Sequence, residues 1–422
     1  MKHRVALVST LTCVTLLLAA CGNRGADPAA PHSGPPKGPA IEGDFSGAGP
    51  GTLVSAEGLV DLDPVLRDKT SLAARIVYES TSGINDSHSL VTATVFVPKG
   101  DPPPGGWNIV ALGHPATGIQ PPCAPSASPT LLGSASTVGA LIDDGYLVAA
   151  TDYQGLGLGE TDHSTSDSTI GPYNDYHPFL DSTTEGYNVI DSVRAARKLV
   201  PAASDTFTVW GTGQGGQAAW AANELAPDYR GVLNLAGVVA EAPTSALDWL
   251  ADAAADGTLT RDQQLMLAQF LAALKSEDSA FDLDAYRHGG VKDNWNALTA
   301  CWGPESHDRD RLAEQIGPDD LRPANGDATE ALRAYLQKTS LPQAPTAAPM
   351  LVVPDGPDGL IPEAQTDAAV ARACAMGDVI QLGDQGADPS ALINWINDRF
   401  NAVPAQNDCA GLTATEPPTS NP

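Results

Sequence analysis

The sequence predicts an α/β protein: a mostly parallel sheet with helices on both faces and a helical cap inserted late in the sheet. Three observations carry this. From residue 71 to 243, short apolar runs alternate with amphipathic helical stretches, the pattern of strands joined by helical crossovers. From Thr244 to about Ser340 that rhythm stops, and helical patterns follow one another with few strand signals. The alternation then resumes at "APMLVVPDG" and ends at "PSALINWINDRF".

In chain order, "ARIVYES" and "LVTATVFVP" read as two strands, broken by the turn-like "TSGINDS". "WNIVALGH" follows as a short buried strand, "LLGSASTVGALIDDG" as a helix and "YLVAATDY" as another buried strand. "TEGYNVIDSVRAARKLV" places Val189, Val193 and Ala196 on one helical face. "TFTVW", a helix from Gln214 to about Leu225 and the strand "LAGVVAEAP" complete the first part of the core, residues 51–243. The cap, 244–340, holds "ALDWLADAAA", "RDQQLMLAQFLAALK" and "ATEALRAYLQK". The second part, 341–409, adds a strand at "APMLVVPDG", a helix at "EAQTDAAVARACA", a strand at "DVIQLGD" and the last helix; 410–422 reads as a flexible tail. Ligand clefts in such sheets open at the C-terminal strand ends, so a late cap is expected to roof the site.

Residues 1–20 carry Lys2 and Arg4 before an apolar run too short for a comfortable membrane span. The run ends in Leu18-Ala19-Ala20-Cys21, which resembles a bacterial lipobox; an ordinary secretory signal is the alternative. The resemblance implies an exported chain, lipidated at Cys21 and anchored to the bacterial membrane at the cell envelope. Residues 21–50 are rich in Gly, Pro and Ala and read as a tether. A formal charge of −28 repels phosphate backbones, which makes nucleic acid a poor partner. No C-x-x-C or His/Cys cluster marks a metal site.

The chemistry turns on "VWGTGQGGQAAW", residues 209–220, between a strand and a helix. Through Gly211, Gly213 and Gly216 it fits the dinucleotide pattern G-x-G-x-x-G, with Glu241 placed to face a ribose. That pattern belongs in the first β-α-β unit of a domain, and here several strands precede it. Through Gly211 and Gly215 the stretch fits a hydrolase nucleophile elbow, G-x-S-x-G, with Gly213 in the serine's place and Gln214 supplying an oxyanion-hole amide. Together with "GHPATGIQPPCAPS", "GYLVAATDYQGLG", "YHPFL", "NVIDSVRAARKL", "GQGGQAAWAANELAP" and "WINDRF", the sequence resembles the secretory lipase family of yeast lipase A-like, capped α/β-hydrolases. The resemblance runs from about residue 70 to 401. It implies a secreted hydrolase of acylglycerols and simpler esters that needs no cofactor.

The departures from the family decide the expected activity. Its serine falls on Gly213, which has no side chain to form an acyl-enzyme. Thr212, the nearest hydroxyl, is flanked at two positions by Trp210 and Gln214, too bulky for an elbow in that register. The family's acid falls on Asp358, with Asp355 as second choice. Its histidine falls after "VIQLG", where the chain reads Asp384-Gln385, and His307 is the last histidine in the sequence. Pro115 stands where the family has a glycine and donates no N–H to an oxyanion hole. His114 and His177 read as structural, and "TDHSTSDSTIGPYNDYH" as a polar loop. The expected protein is therefore a catalytically inactive family member that binds an acyl or ester ligand. An active ester hydrolase with a non-standard site is the alternative, and dinucleotide binding a third. Of the three pairings open to Cys123, Cys301, Cys374 and Cys409, the expected one joins Cys123 to Cys301, pinning the cap, and Cys374 to Cys409.

Overall fold

The computed structural model describes residues 37–158, 176–302, 306–356 and 359–411. The expected signal, Cys21 and most of the tether, most of the polar loop, Asp358 and the tail beyond residue 411 lie outside them.

Among the described residues nine strands form one sheet: β1 (Leu53–Gly58), β2 (Thr70–Thr81), β3 (His88–Pro98), β4 (Trp107–Gly113), β5 (Leu147–Thr151), β6 (Ala203–Thr212), β7 (Asn234–Glu241), β8 (Met350–Val353) and β9 (Ile380–Leu382). Their spatial order is β1-β2-β3-β5-β4-β6-β7-β8-β9. The pairs from β1 to β3, and β3 with β5, are antiparallel; all later pairs are parallel. Strands buried on both faces read as near-continuous apolar runs, as in residues 109–112 of β4 and in β8; β3 is equally buried but carries Thr92 and Thr94.

The core helices are α1 (Pro64–Lys69), α2 (Ala135–Asp143), α3 (Ser182–Leu199) and α4 (Gln214–Tyr229). The cap supplies α5 (Leu250–Asp256), α6 (Arg261–Glu277), α7 (Gly289–Asp293), α8 (Trp295–Leu298), α9 (His307–Ala313) and α10 (Gly326–Thr339). The core then closes with α11 (Glu363–Met376) and α12 (Pro389–Phe400). Val189, Val193 and Ala196 of α3, with Ala218 and Ala222 of α4 and Ala369 of α11, pack on one sheet face. Val138 and Leu141 of α2 and Ile396 of α12 pack on the other. Helix starts follow their capping residues: Asp181 caps α3, Thr260 and Gln263 form a reciprocal box at α6, and Asp388 precedes Pro389 at α12.

The cap has its own apolar cluster, built around Leu267, Leu271, Leu332 and Leu336, with Phe179, Leu180 and Ile361 contributed by core loops. Its two ends meet: Leu341 N–H donates to Ser245 O at 2.7 Å, and Leu247 N–H to Ser340 Oγ at 3.0 Å. Both expected disulfides are present. Cys123–Cys301 joins the loop after β4 to the cap, and Cys374–Cys409 ties α11 to the chain after α12.

One boundary moves. The tether expected to run to residue 50 gives way to bonded structure by Pro39: Gly58 N–H donates to Pro39 O and Ile41 N–H to Ala56 O, both at 2.9 Å, and Asp44 N–H donates to Lys198 O at 2.9 Å. Ile41 packs on the core. Composition alone reads this stretch as unable to build a core, but β1, absent from the sequence reading, gives it an edge to pair with.

Candidate functional site

β6 runs into α4 through Gly213, whose φ of +60° and ψ of −117° place it outside any ordinary helix or strand conformation. The turn is held by backbone bonds: Gly213 N–H donates to Glu241 O at 2.9 Å, and its carbonyl accepts from Gln217 N–H at 3.1 Å and Thr244 N–H at 3.2 Å. The flanking glycines permit close approach. A Cβ at Gly211 would lie 1.8 Å from Gly215 O, one at Gly215 would lie 2.1 Å from Gly113 O, and one at Gly216 2.6 Å from Glu241 O. All three glycines are therefore explained by strand–helix packing at an elbow. Gly215→Ala is expected to destabilise the fold by about 3 kcal/mol or more, because the clash is with backbone; urea denaturation measures it.

Gly213 itself is different. A Cβ there would meet only Pro115 Cβ, at 3.9 Å, which is ordinary van der Waals contact. The position is half-buried and Pro115 is exposed, so the elbow opens to solvent. There is room at this position for a side chain. The 16-residue helix behind it presents its N-terminal end to this space, an environment that favours negative charge.

The residues around the elbow are otherwise occupied. His114 is buried against Tyr153, with ring centroids 4.5 Å apart, and its two nitrogens lie 2.7 Å from Pro115 O and 3.2 Å from Asp152 O. Burial holds its pKa below the usual histidine value. His177 is fully buried; one nitrogen bonds Gln154 O at 2.9 Å and the other the Gln214 side-chain amide at 2.7 Å. Burial brings its pKa down to about 3, so the ring is neutral and committed to structure. Asp355, the second choice for the acid, accepts from Gly356 N–H at 3.0 Å and Leu360 N–H at 2.7 Å, shaping its own loop. Asp384 and Gln385 are exposed and line a groove with Glu363, Thr366 and Asp367.

A buried network that sequence reasoning missed lies under the elbow. Gln214, considered for its backbone amide, also spans His177 and Glu185 with its side chain, donating to Glu185 Oε1 at 2.6 Å. The same carboxylate oxygen accepts from Leu180 N–H at 3.0 Å. The signal was in the sequence, because Glu185 stands four residues before Val189 on the face of α3 that turns inward. Burial raises the Glu185 pKa well above the carboxylate range. The folded state then holds a proton that the unfolded chain releases above its ordinary glutamate pKa of about 4.3, so this group's contribution to stability falls as pH rises. Glu185→Gln should flatten that dependence by up to about 1.4 kcal/mol per pH unit relative to wild type, compared by urea denaturation at pH 5 and pH 8.

A second polar pair flanks the turn: Thr212 Oγ1 donates to Glu241 Oε2 at 2.8 Å, and Trp210 Nε1 donates to the same oxygen at 3.2 Å. Trp210 packs in the cluster on the α2 and α12 face. Thr212, two residues on in the same strand, shares that side.

Comparison with known proteins agrees with this architecture. The secretory lipase family model matches residues 129–302. No curated protein matches the chain. Among solved structures, lipase A of Candida antarctica in its closed state is similar over 91% of this chain and 90% of its own, with a TM-score of 0.65 at 15% identity. The ligand-bound rice cell wall degrading esterase LipA of Xanthomonas oryzae is similar over 84% of this chain and 97% of its own, with a TM-score of 0.62 at 17% identity. At such identities the structural likeness establishes the fold.

Proposed function

We propose, from the premise that the chain belongs to the secretory lipase family, that it is a non-hydrolytic member, exported and held at the membrane by a lipidated Cys21, which binds a lipid or ester without cleaving it. The family is one of lipid ester hydrolases. The observation that carries the reading is the elbow built around Gly213: the turn, its glycine flanks and the helix behind it are retained, while the attacking hydroxyl is missing. No histidine follows His307 to serve as its base, and the loss of any one triad member typically costs about four orders of magnitude. The two disulfides support export, since such bonds persist in oxidising compartments.

Wild-type protein is expected to show no fluorophosphonate labelling and no turnover of short- or long-chain p-nitrophenyl esters, while mass spectrometry of its organic extract detects a co-purifying acyl lipid. Stoichiometric labelling would refute the inactive reading. The Thr212–Glu241 pair favours a second reading, hydrolysis by a displaced hydroxyl and carboxylate. Ester turnover abolished by Thr212→Val would establish it.

A further inference from the structure

A groove of about 520 Å³ lies away from the elbow, between the C-terminal half of α3, the turn after α4 and the chain that leads into β1. Arg194, Arg197, Lys198 and Arg230 line it, with Asp44 as its acid. We propose that this groove binds a phosphate oxyanion, free in solution or carried on a lipid headgroup.

Arg197 and Lys198 stand in the last turn of α3, where cations ordinarily offset the helix dipole, and two of the four groove cations, Arg194 and Lys198, are engaged. Arg194 pairs with buried Asp191 and donates to Tyr229 O; Lys198 reaches Asp44 at 3.3 Å and Ser46 O at 2.6 Å. The other two are not neutralised in this way. Among the described residues Arg197 Nε, which is buried, meets no acceptor, and Arg230 donates Nη1 to Leu233 O at 3.1 Å. Among the described residues neither has a carboxylate within ion-pair distance. Both guanidinium groups line the groove, and a planar fork of donors suits the oxygens of a phosphate. The chain as a whole repels anions, with a formal charge of −28. Local attraction at this groove is thus an exception to the general field, and salt must weaken it. Val232, 83% exposed on the groove's rim, is an apolar residue placed beside a headgroup-sized anion site.

The test uses the full chain carrying Cys21→Ser, so that no attached lipid drives membrane binding. Inorganic phosphate is titrated calorimetrically, and sedimentation compares vesicles of phosphatidylglycerol with vesicles of phosphatidylcholine. Phosphatidylglycerol binding that falls about tenfold in the Arg197→Gln/Arg230→Gln double variant, and falls further with added salt, supports a headgroup site. Phosphate binding lost in the same variant supports a free-anion site. Arg197→Lys, which keeps charge but loses the fork, should bind at an intermediate level, and circular dichroism confirms that the variants are folded. Binding equal on both vesicle types with no phosphate binding, or binding undiminished in the folded double variant, overturns the proposal.

Discussion

Gly213→Ser, made alone, is expected to yield no esterase turnover above the uncatalysed rate, although the serine fits. Its Cβ would meet only Pro115, at 3.9 Å, and a sparsely populated backbone conformation costs a non-glycine residue about 1–3 kcal/mol, which a large fold tolerates. What fails is proton removal. Both nitrogens of His177 are hydrogen-bonded, His114 lies against two carbonyls, and no histidine follows the acid position. Adding Asp384→His or Gln385→His restores a base on the loop after β9. The double variants should exceed the sum of the singles, because triad members act as a unit. The gain should stay small, at about tenfold. Strand spacing puts β9 about 14 Å from β6, residues 383–388 alone join β9 to α12, and Pro115 has no N–H to donate beside the elbow. A burst assay with p-nitrophenyl esters measures all three; full activity from Gly213→Ser alone would reveal a base already in place.

Removing the Cys123–Cys301 bridge is expected to be the most damaging change to stability. It closes 178 residues of chain, and loop-closure entropy assigns such a crosslink about 5 kcal/mol. The Cys374–Cys409 bridge spans 35 residues and on the same basis contributes about 4 kcal/mol. Cys123→Ala with Cys301→Ala should lower Tm by roughly 5–10 °C and expose residues 244–340 to protease first. The crosslink sits where Trp302 N–H meets Thr117 O at 2.7 Å, one of the seams between cap and core. Non-reducing peptide mapping checks the pairing, and an unchanged Tm would show that the cap holds without it.

What is covalent and what is local can be read directly from the order of the residues. Glycines at 211, 213 and 215 permit a sharp strand-to-helix turn, and position 213 carries no side chain whatever packs around it. Residues 308–422 likewise hold no histidine. The alternation of apolar runs with amphipathic stretches located eight strands and the cap, because periods of two and 3.6 residues are written in neighbouring positions. Tertiary structure alone decided the rest. β1 and the chain from Pro39 to Gly51 carry little apolar pattern and are ordered by pairing with residues far along the sequence. Glu185, Gln214 and His177 converge from a helix, a turn and a loop. Arg194, Arg197 and Arg230 come to one groove from the C-terminal parts of two helices. Each of these arrangements depends on which distant segments pack together, and local periodicity carries no term for that.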